Sequence, residues 1–333
     1  MRHAPFAGAG RRGMKRSLLP MLACPRCKAG LELHARAEEG GEVAEGDLTC
    51  DGCQASYPIR GGIPRFVGSG AYADSFGFQW DRFRLVQLDS RNGTRDSERT
   101  LAETTGWSDG DYRGRLVLDA GVGAGRFAEV AAKKGAQVIG IDLTRAVEAA
   151  QANLAHFPGA HLVQADIFAM PFRDRTFDLA YSIGVLHHTP DVEGAFRKVA
   201  AAVKPGGALA VYLYSAYGVE RHSSDALRVL TTRLPVRLMF ALSAAAVPLY
   251  FLYRAPVLGP ALAKLAPISL NPDWRWRWLD TFDWYTPRYQ WKLRYPEVLR
   301  WFRENGFNDI HTSDEPIRMS GWKTGPVLRT GGA

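Results

Sequence analysis

The chain has 333 residues, of which 46% are hydrophobic and 23% charged, and its formal net charge is +8. That length suits two domains, and the composition is typical of a soluble globular protein, not of a disordered or fibrous one. The first sixteen residues contribute +5 of the net charge of +8, and no acid precedes Glu32. We therefore predict a flexible basic tail over residues 1–16, and a nucleic-acid partner is not expected for the weakly basic remainder.

The amino terminus also bears on location. Its first twenty residues contain no apolar run followed by a small-residue cleavage site, so we expect a cytoplasmic protein with reduced cysteines. Met14 is an alternative to Met1 as the start residue.

All four cysteines lie in two short hooks. Cys24 and Cys27 form one C-x2-C motif, and Cys50 and Cys53 form another after a 22-residue gap. Two such hooks supply the four thiolates of a closed, tetrahedral zinc site, which is structural because it leaves no position for substrate. Disulfides are disfavoured in a reducing compartment, and a redox pair needs only one hook. We predict a small zinc-dependent ribbon over residues 17–67.

The segment LLPMLACPRCKAGLEL…LTCDGCQASYPIRGGIPRFV resembles the short zinc-ribbon proteins that bind methyltransferases and stabilise or activate them. The resemblance covers about fifty residues and includes the YPIR-x-GIP tail. It implies a non-catalytic ribbon fused here to its client.

Residues 68–115 form a connector. Its first half is aromatic, with Phe76, Phe78, Trp80 and Phe83, and its second half is polar and helix-like. It is interpreted as a lid that closes over a cofactor, or as an aromatic cluster that docks the ribbon on the next domain.

From Leu116 onward, apolar strands alternate with helices. LVLDAGVGAGRF gives a buried strand, a glycine-rich turn and a helix start, and QVIGIDL gives a second strand that ends in Asp142. Alternating strands and helices predict an α/β fold, a Rossmann-like doubly wound and mostly parallel sheet. A glycine turn followed by an acid suits either a dinucleotide or S-adenosylmethionine, so the first two strands do not distinguish them.

The order of the later motifs does distinguish them. D-x-G-x-G-x-G at residues 119–125 is followed by GID, QADIFAMPF, FDLAYSIGVLHHTPD and VKPGGALAVYLY. This series resembles the class I S-adenosylmethionine-dependent methyltransferases of the type 11 kind, over residues 116–214. The resemblance implies that S-adenosylmethionine is the cofactor, held by Asp119, Gly121, Gly123, Gly125, Asp142, Leu143, Asp166, Ile167, Ser182 and Ile183.

His187 and His188 follow the fourth strand at the cofactor end. Methyl transfer is an in-line displacement, so a base is needed only if the acceptor arrives protonated. Imidazole titrates near neutral pH and suits that role, and the alternative is a structural pair that packs under the cofactor and bonds to the backbone.

Residues 215–290 are an insertion that we predict to be a helical cap over the substrate pocket. Its segment 238–253 has sixteen residues without a charge, which is short of a bilayer span. A cap, a peripheral contact with the inner membrane surface and a true span are the three alternatives, and the first two suggest an apolar or lipid-like substrate.

Residues 291–333 resemble the helix and strand that complete the methyltransferase fold, with PEVLRWFRENGF as helix and FNDIHTSD as the last strand. Before them, DTFDWYTPRYQWK is placed over the open end of the sheet. Asp283, Tyr285 and Tyr289 are candidates for substrate contact, although buried tyrosine hydroxyls often serve only packing.

The sequence thus predicts methyl transfer from S-adenosylmethionine to a small-molecule or lipid-like acceptor, with a structural zinc ion. One alternative is an rRNA, tRNA or protein methyltransferase that uses the ribbon to recruit its substrate. Another is a non-catalytic scaffold, which the intact glycines and Asp142 disfavour. The sequence does not choose the acceptor atom or the oligomeric state.

Overall fold

The structure is a computed structural model that describes residues 13–68, 82–217, 220–314 and 317–324. Nearly all of the basic tail, and the connector aromatics Phe76, Phe78 and Trp80, lie outside the described residues. The described part consists of a small antiparallel sheet, a seven-stranded mixed sheet and a group of helices inserted near its end.

The amino-terminal sheet is a four-stranded antiparallel ribbon. A short 3-10 helix, Arg16–Met21, precedes it. Its strands lie in chain order: β1 (Leu31–Glu39), β2 (Glu42–Cys50), β3 (Ser56–Arg60) and β4 (Ile63–Pro64). Leu18, Leu22, Val43, Leu48 and Ile59 are buried in its interior.

The larger sheet has the order β7-β6-β5-β8-β9-β11-β10. Its strands are β5 (Leu116–Ala120), β6 (Gln137–Asp142), β7 (Ala160–Gln164), β8 (Phe177–Ile183), β9 (Val203–Tyr212), β10 (Phe307–Thr312) and β11 (Arg318–Lys323). Strands β5 to β9 pair in parallel, and β11 pairs antiparallel with β9 and β10. This confirms the predicted doubly wound, mostly parallel sheet.

The helices before the cap are α1 (Asp89–Asn92), α2 (Asp96–Thr105), α3 (Asp109–Tyr112), α4 (Arg126–Lys133), α5 (Ala146–Leu154) and α6 (Val192–Ala202). The cap consists of α7 (Glu220–Thr231), α8 (Val236–Ser243), α9 (Ala246–Tyr253), α10 (Leu258–Leu265) and α11 (Trp274–Tyr285), and α12 (Tyr295–Glu304) precedes the final hairpin. Strands β5, β7 and β8 are almost wholly buried because helices cover both faces of the sheet.

One expectation about the carboxyl end was wrong. Residues 307–312 are not the last strand, because the chain turns back and Arg318–Lys323 inserts between β10 and β9. Ser320 and Gly321 have low strand propensity, but the pairing of this segment with β9 buries it.

The ribbon covers the β7 edge of the large sheet. Phe66 N–H donates to Gln164 O at 2.8 Å, next to a parallel bridge between Arg65 and Gln164. The Arg65 guanidinium donates to Gln164 Oε1 at 2.7 Å and to Glu148 Oε1 at 3.0 Å. An edge strand exposes unpaired backbone N–H and C=O groups, which can pair with another chain and cause aggregation. Here the ribbon hydrogen-bonds to some of those backbone groups.

The cap is held on the molecule by a separate aromatic core. Phe83 from the connector packs with Phe240 of α8 and with Leu279 and Phe282 of α11. Trp278 Nε1–H donates to Phe240 O at 2.7 Å.

Among the described residues, one stretch, Val236–Tyr253, is apolar and long enough to cross a membrane, with mean hydropathy 1.6, and 28% of it is buried in the protein.

We predict that Arg65→Ala lowers the free energy of unfolding by about 1–3 kcal/mol, because it leaves the half-buried Glu148 and Gln164 Oε1 with one donor fewer. Urea unfolding followed by fluorescence measures the change. Arg36→Ala is the matched control. It breaks an ion pair with Asp47 that is more exposed, and it should cost less than about 1 kcal/mol. Equal effects of the two substitutions would contradict a stabilising role of the ribbon–sheet contact.

Candidate functional site

The turn after β5 requires glycine at two positions. Gly121 has φ +98°, and a Cβ atom there would lie 2.3 Å from Val185 Cγ2. Gly125 has φ +89° and directly precedes α4, with Leu154 close to the place of its missing side chain. Both conformations are left-handed, which disfavours any residue with a side chain. The turn therefore packs its backbone directly against neighbouring side chains.

Asp142 at the end of β6 braces this turn. Its Oδ2 accepts from Gly123 N–H at 3.1 Å, and its Oδ1 accepts from Thr144 N–H at 2.9 Å and from the Thr144 hydroxyl at 2.8 Å. Burial raises the pKa of Asp142, although these hydrogen bonds act in the opposite direction. The carboxylate thus fixes two loops at adjacent strand ends.

A cavity of about 530 Å³ lies at the carboxyl ends of β5, β6 and β8. It occupies the point where the strand order reverses, since β5 has β6 on one side and β8 on the other. Doubly wound sheets bind ligands at such a crevice. Six of the residues predicted to hold a cofactor line it: Gly121, Gly123, Asp142, Leu143, Ile167 and Ile183.

The other four predicted cofactor residues make contacts around this cavity instead of lining it. Asp119 is buried and accepts from the Tyr181 hydroxyl at 3.1 Å, and burial raises the pKa of Asp119 to about 8. Gly125 is the N-cap of α4, and Asp166 accepts from Phe168 N–H at 2.9 Å. Ser182 donates to Ala120 O at 2.7 Å.

The two histidines differ in their surroundings. His187 is fully buried, stacks on Tyr214 with 3.9 Å between ring centroids, and accepts from Tyr214 N–H at its Nδ1. His188 lines the cavity, and its Nδ1 lies 2.9 Å from Tyr289 O. A carbonyl only accepts, so His188 Nδ1 carries the proton and Nε2 is the accepting nitrogen. Burial lowers the pKa of His188 to about 4, which keeps the ring neutral near pH 7.

Of the three substrate candidates, only one is among the residues that line the cavity. Asp283 on α11 lines the cavity. The buried Tyr285 donates its hydroxyl to Pro267 O at 2.8 Å. Tyr289 bonds to His188 through its backbone carbonyl, and its ring lies near Arg288.

A further group in the cavity wall was missed by sequence reasoning. Arg126 at the start of α4 lies over the ring of Trp276 on α11, with 5.2 Å to its centroid. Asp280, one turn after Trp276, accepts from the Ser269 hydroxyl at 3.1 Å, and burial raises the pKa of Asp280 to about 6. The sequence does contain one indication of this group. Trp276, Asp280 and Trp284 are spaced i, i+4, i+8, which places all three on one helical face.

The four cysteines lie close together in the ribbon. Their Sγ atoms are all within 4.8 Å of one another, and none of the four is in a disulfide. Cys24 and Cys53 are 3.6 Å apart, and Cys27 and Cys50 are 3.4 Å apart. Four sulfurs at about 2.3 Å from a zinc ion would be about 3.8 Å apart, so this donor set fits zinc.

The two hooks have the same backbone geometry. Lys28 follows the first hook with φ +62°, and Gln54 follows the second with φ +58°. Lys28 N–H donates to Cys24 O at 2.8 Å, and Gln54 N–H donates to Cys50 O at 3.1 Å. The Tyr57 hydroxyl lies 3.2 Å from Cys24 Sγ. The thiol geometry is therefore set by two equivalent turns and a neighbouring hydroxyl.

Comparison with known families assigns both regions. Residues 118–211 match the family described as a methyltransferase domain. Residues 15–62 match the family described as Trm112p-like protein.

Curated relatives match through about a third of this chain. The sterol 24-C-methyltransferase of Saccharomyces cerevisiae is 37% identical over 31% of this chain and 28% of its own length. The ubiquinone biosynthesis O-methyltransferase of Paracidovorax citrulli is 37% identical over 31% of this chain and 45% of its own. Phosphoethanolamine N-methyltransferase 2 of Caenorhabditis elegans is 35% identical over 32% of this chain and 25% of its own length. The chain thus spans less than half the length of these relatives.

Among solved structures, a complex of the Haloferax volcanii Trm112 methyltransferase activator with a methyltransferase aligns with 72% of this chain and 78% of that one. Its sequence identity is 15% and its TM-score is 0.44.

We predict that His188 stays neutral in the folded chain until the pH approaches about 4. Its unfolded pKa is near 6.5, so the stability that its neutral, buried ring contributes is full above that pH and is lost as the pH falls toward 4. Histidine NMR titration checks this, with His188→Gln used to assign the resonance. A folded-state midpoint near 6.5 would contradict the buried environment.

Proposed function

Because the chain joins a methyltransferase domain to an amino-terminal Trm112p-like ribbon, we propose that it transfers a methyl group from S-adenosylmethionine to a small-molecule or lipid-like acceptor. The observation that carries the proposal is the cavity at the β5–β8 switch point, where the glycine turn and Asp142 meet. Its volume of about 530 Å³ lies within the range of ordinary ligand sites.

The chain's own residues suit such a cofactor. The turn from Gly121 to Gly123 lets a ligand approach the backbone, and Asp142 offers a carboxylate that can accept from ribose hydroxyls. Leu143 and Ile167 add apolar surface next to it for a flat base. When bound, S-adenosylmethionine supplies an electrophilic methyl group. The protein's task is then to orient the acceptor and exclude water.

Other residues that line the cavity support a small organic acceptor. Trp276, Trp284 and Tyr214 line the cavity with aromatic surface, and Asp280 and Asp283 add carboxyl groups. The names of the relatives include methyl transfer to carbon, oxygen and nitrogen, so they support a small acceptor without selecting its atom.

The histidine pair contributes orientation more readily than proton transfer. With a pKa of about 4, His188 Nε2 is a weak proton acceptor near pH 7. Its Nδ1–H donates a hydrogen bond to Tyr289 O, and His187 O accepts one from Trp291 N–H at 2.8 Å. We propose that the pair fixes residues 289–291 beside the acceptor site.

We also propose that the ribbon binds one structural zinc ion through Cys24, Cys27, Cys50 and Cys53. The all-sulfur donor set and the two equivalent turns support it. Gly52 N–H and Cys53 N–H each lie 3.4 Å from Cys50 Sγ, where they favour a thiolate. The ribbon's fusion to the sheet edge gives it a supporting role for the domain.

We predict that Asp142→Ala weakens S-adenosylmethionine binding at least about tenfold, because it removes a ribose acceptor and the brace on Gly123. Isothermal calorimetry measures the affinity. Asp174→Ala, which removes an exposed carboxylate from the loop before β8, should leave it unchanged. Unchanged affinity of the Asp142 variant would refute the assigned pocket.

The same two variants test the acceptor class. Wild type is incubated with a cell extract and methyl-labelled S-adenosylmethionine, and the extract is separated into lipid, small-molecule, RNA and protein fractions. We expect label in the lipid or small-molecule fraction, lost with Asp142→Ala and kept with Asp174→Ala. Label confined to RNA or protein would overturn the proposed acceptor.

We predict about one zinc ion per chain by elemental mass spectrometry, and its loss together with unfolding of the ribbon in Cys50→Ser. Arg26→Ala, an exposed change inside the first hook, should keep the metal. A metal-free wild-type chain with a fully folded ribbon would refute the zinc site.

A further inference from the structure

Large exposed hydrophobic side chains are concentrated in the cap. Twelve of the fifteen in the described residues lie between Leu227 and Trp274. Phe251 is 77% exposed and Val257 is 87% exposed. Soluble proteins rarely leave so much apolar surface uncovered unless it has an interaction partner.

These side chains form stripes on three consecutive short helices. On α8, Leu238, Ala241 and Leu242 are exposed, while Met239, Phe240 and Ser243 on the same helix are buried. On α9, Pro248, Phe251 and Leu252 are exposed, and on α10, Leu258, Ala261 and Leu265 are exposed. The i, i+3, i+4 spacing of the exposed residues on α8 and α9 places them on one outward apolar face, while other residues of the same helices are buried. Helix α10 exposes an apolar face of its own.

The charge of this region has a single sign. Residues 226–272 contain no Asp or Glu, and they contain five basic residues. Arg228 is buried and donates to Pro287 O at 2.6 Å. The other four are exposed: Arg233, Arg237, Arg254 and Lys264.

We infer that this surface, formed by α8, α9 and α10 with the loops between them, docks on a lipid bilayer that carries anionic headgroups. The apolar stripes enter the headgroup and acyl boundary, and the four exposed cations contact lipid phosphates. The stretch Val236–Tyr253 is held in the protein by Met239, Phe240, Ala246 and Tyr253, which fits docking from one side.

Charge favours a bilayer over a second copy of the chain. A two-fold symmetric dimer through this surface would place Arg237 and Arg254 opposite like charges with no acid nearby in sequence to neutralise them. An anionic bilayer neutralises the same four cations, and each strengthens partitioning about fivefold.

The docking surface lies on helices that pack against a helix of the cavity wall. Helix α11 packs against α8 and α9, and its Trp276, Asp280 and Trp284 line the cavity. Docking would place the cap side of the cavity close to the bilayer. The inference depends on the exposed surface alone and does not require the proposed methyl transfer.

Flotation with vesicles tests the inference. Wild type, Leu242→Glu with Phe251→Glu, and Arg237→Glu with Arg254→Glu are compared on phosphatidylcholine vesicles with and without phosphatidylglycerol. Leu85→Glu is the control, because Leu85 is 39% exposed and lies outside the cap. Calorimetric binding of S-adenosylmethionine and circular dichroism show that each variant is folded.

We expect wild type and the Leu85 variant to float with anionic vesicles. The Leu242/Phe251 variant should bind at least about tenfold more weakly, and the Arg237/Arg254 variant should lose the preference for phosphatidylglycerol. A wild type that stays in solution with every vesicle overturns the inference. Sedimentation as a dimer that the Leu242/Phe251 variant disperses would assign the surface to a second copy instead. Cofactor affinity should be the same in all four proteins whichever result is obtained.

Discussion

The side-chain amide of Gln164 joins the ribbon, the sheet edge and the cavity rim. Its Oε1 accepts from Arg65 at 2.7 Å, and its Nε2 donates to Leu143 O at 3.0 Å. Gln164 is only 8% exposed, so both hydrogen bonds are shielded from competing water. Leu143 lines the cavity. The ribbon is therefore joined to the proposed cofactor site through two hydrogen bonds, and the proposed zinc ion, by ordering the ribbon, would also support that site.

The position of the cap suits two proposed roles. Its innermost helix, α11, lines the cavity, while α8 and α9 pack against α11 and, together with α10, leave apolar faces exposed. Burying those faces within the protein would require another layer, which the described residues do not provide. A bilayer contact would cover the faces without that layer, and it would bring a lipid-like acceptor near the cavity.

Local patterns predicted the parts of this structure that depend on nearby residues. Glycines at 121 and 125 and an acid at 142 follow from strand–turn–helix spacing, and the four cysteines follow from two hooks. Contacts between distant residues were not predictable. Nothing near Arg126 in sequence indicates that it lies over Trp276, 150 positions later, and the route by which Arg318–Lys323 enters the sheet depends on pairing with β9. Asp119 was expected to help hold the cofactor; its carboxyl accepts a hydrogen bond from Tyr181, and its role toward the cofactor stays a prediction.

A crystal structure of the full chain with S-adenosylhomocysteine would test the central claim most directly. We predict that the ligand occupies the cavity at the β5–β8 switch point, with its ribose within hydrogen-bond distance of Asp142 and its base against Ile167. Binding at another place, or no bound ligand at saturating concentration, would contradict the assignment of this cavity as the methyl-donor site.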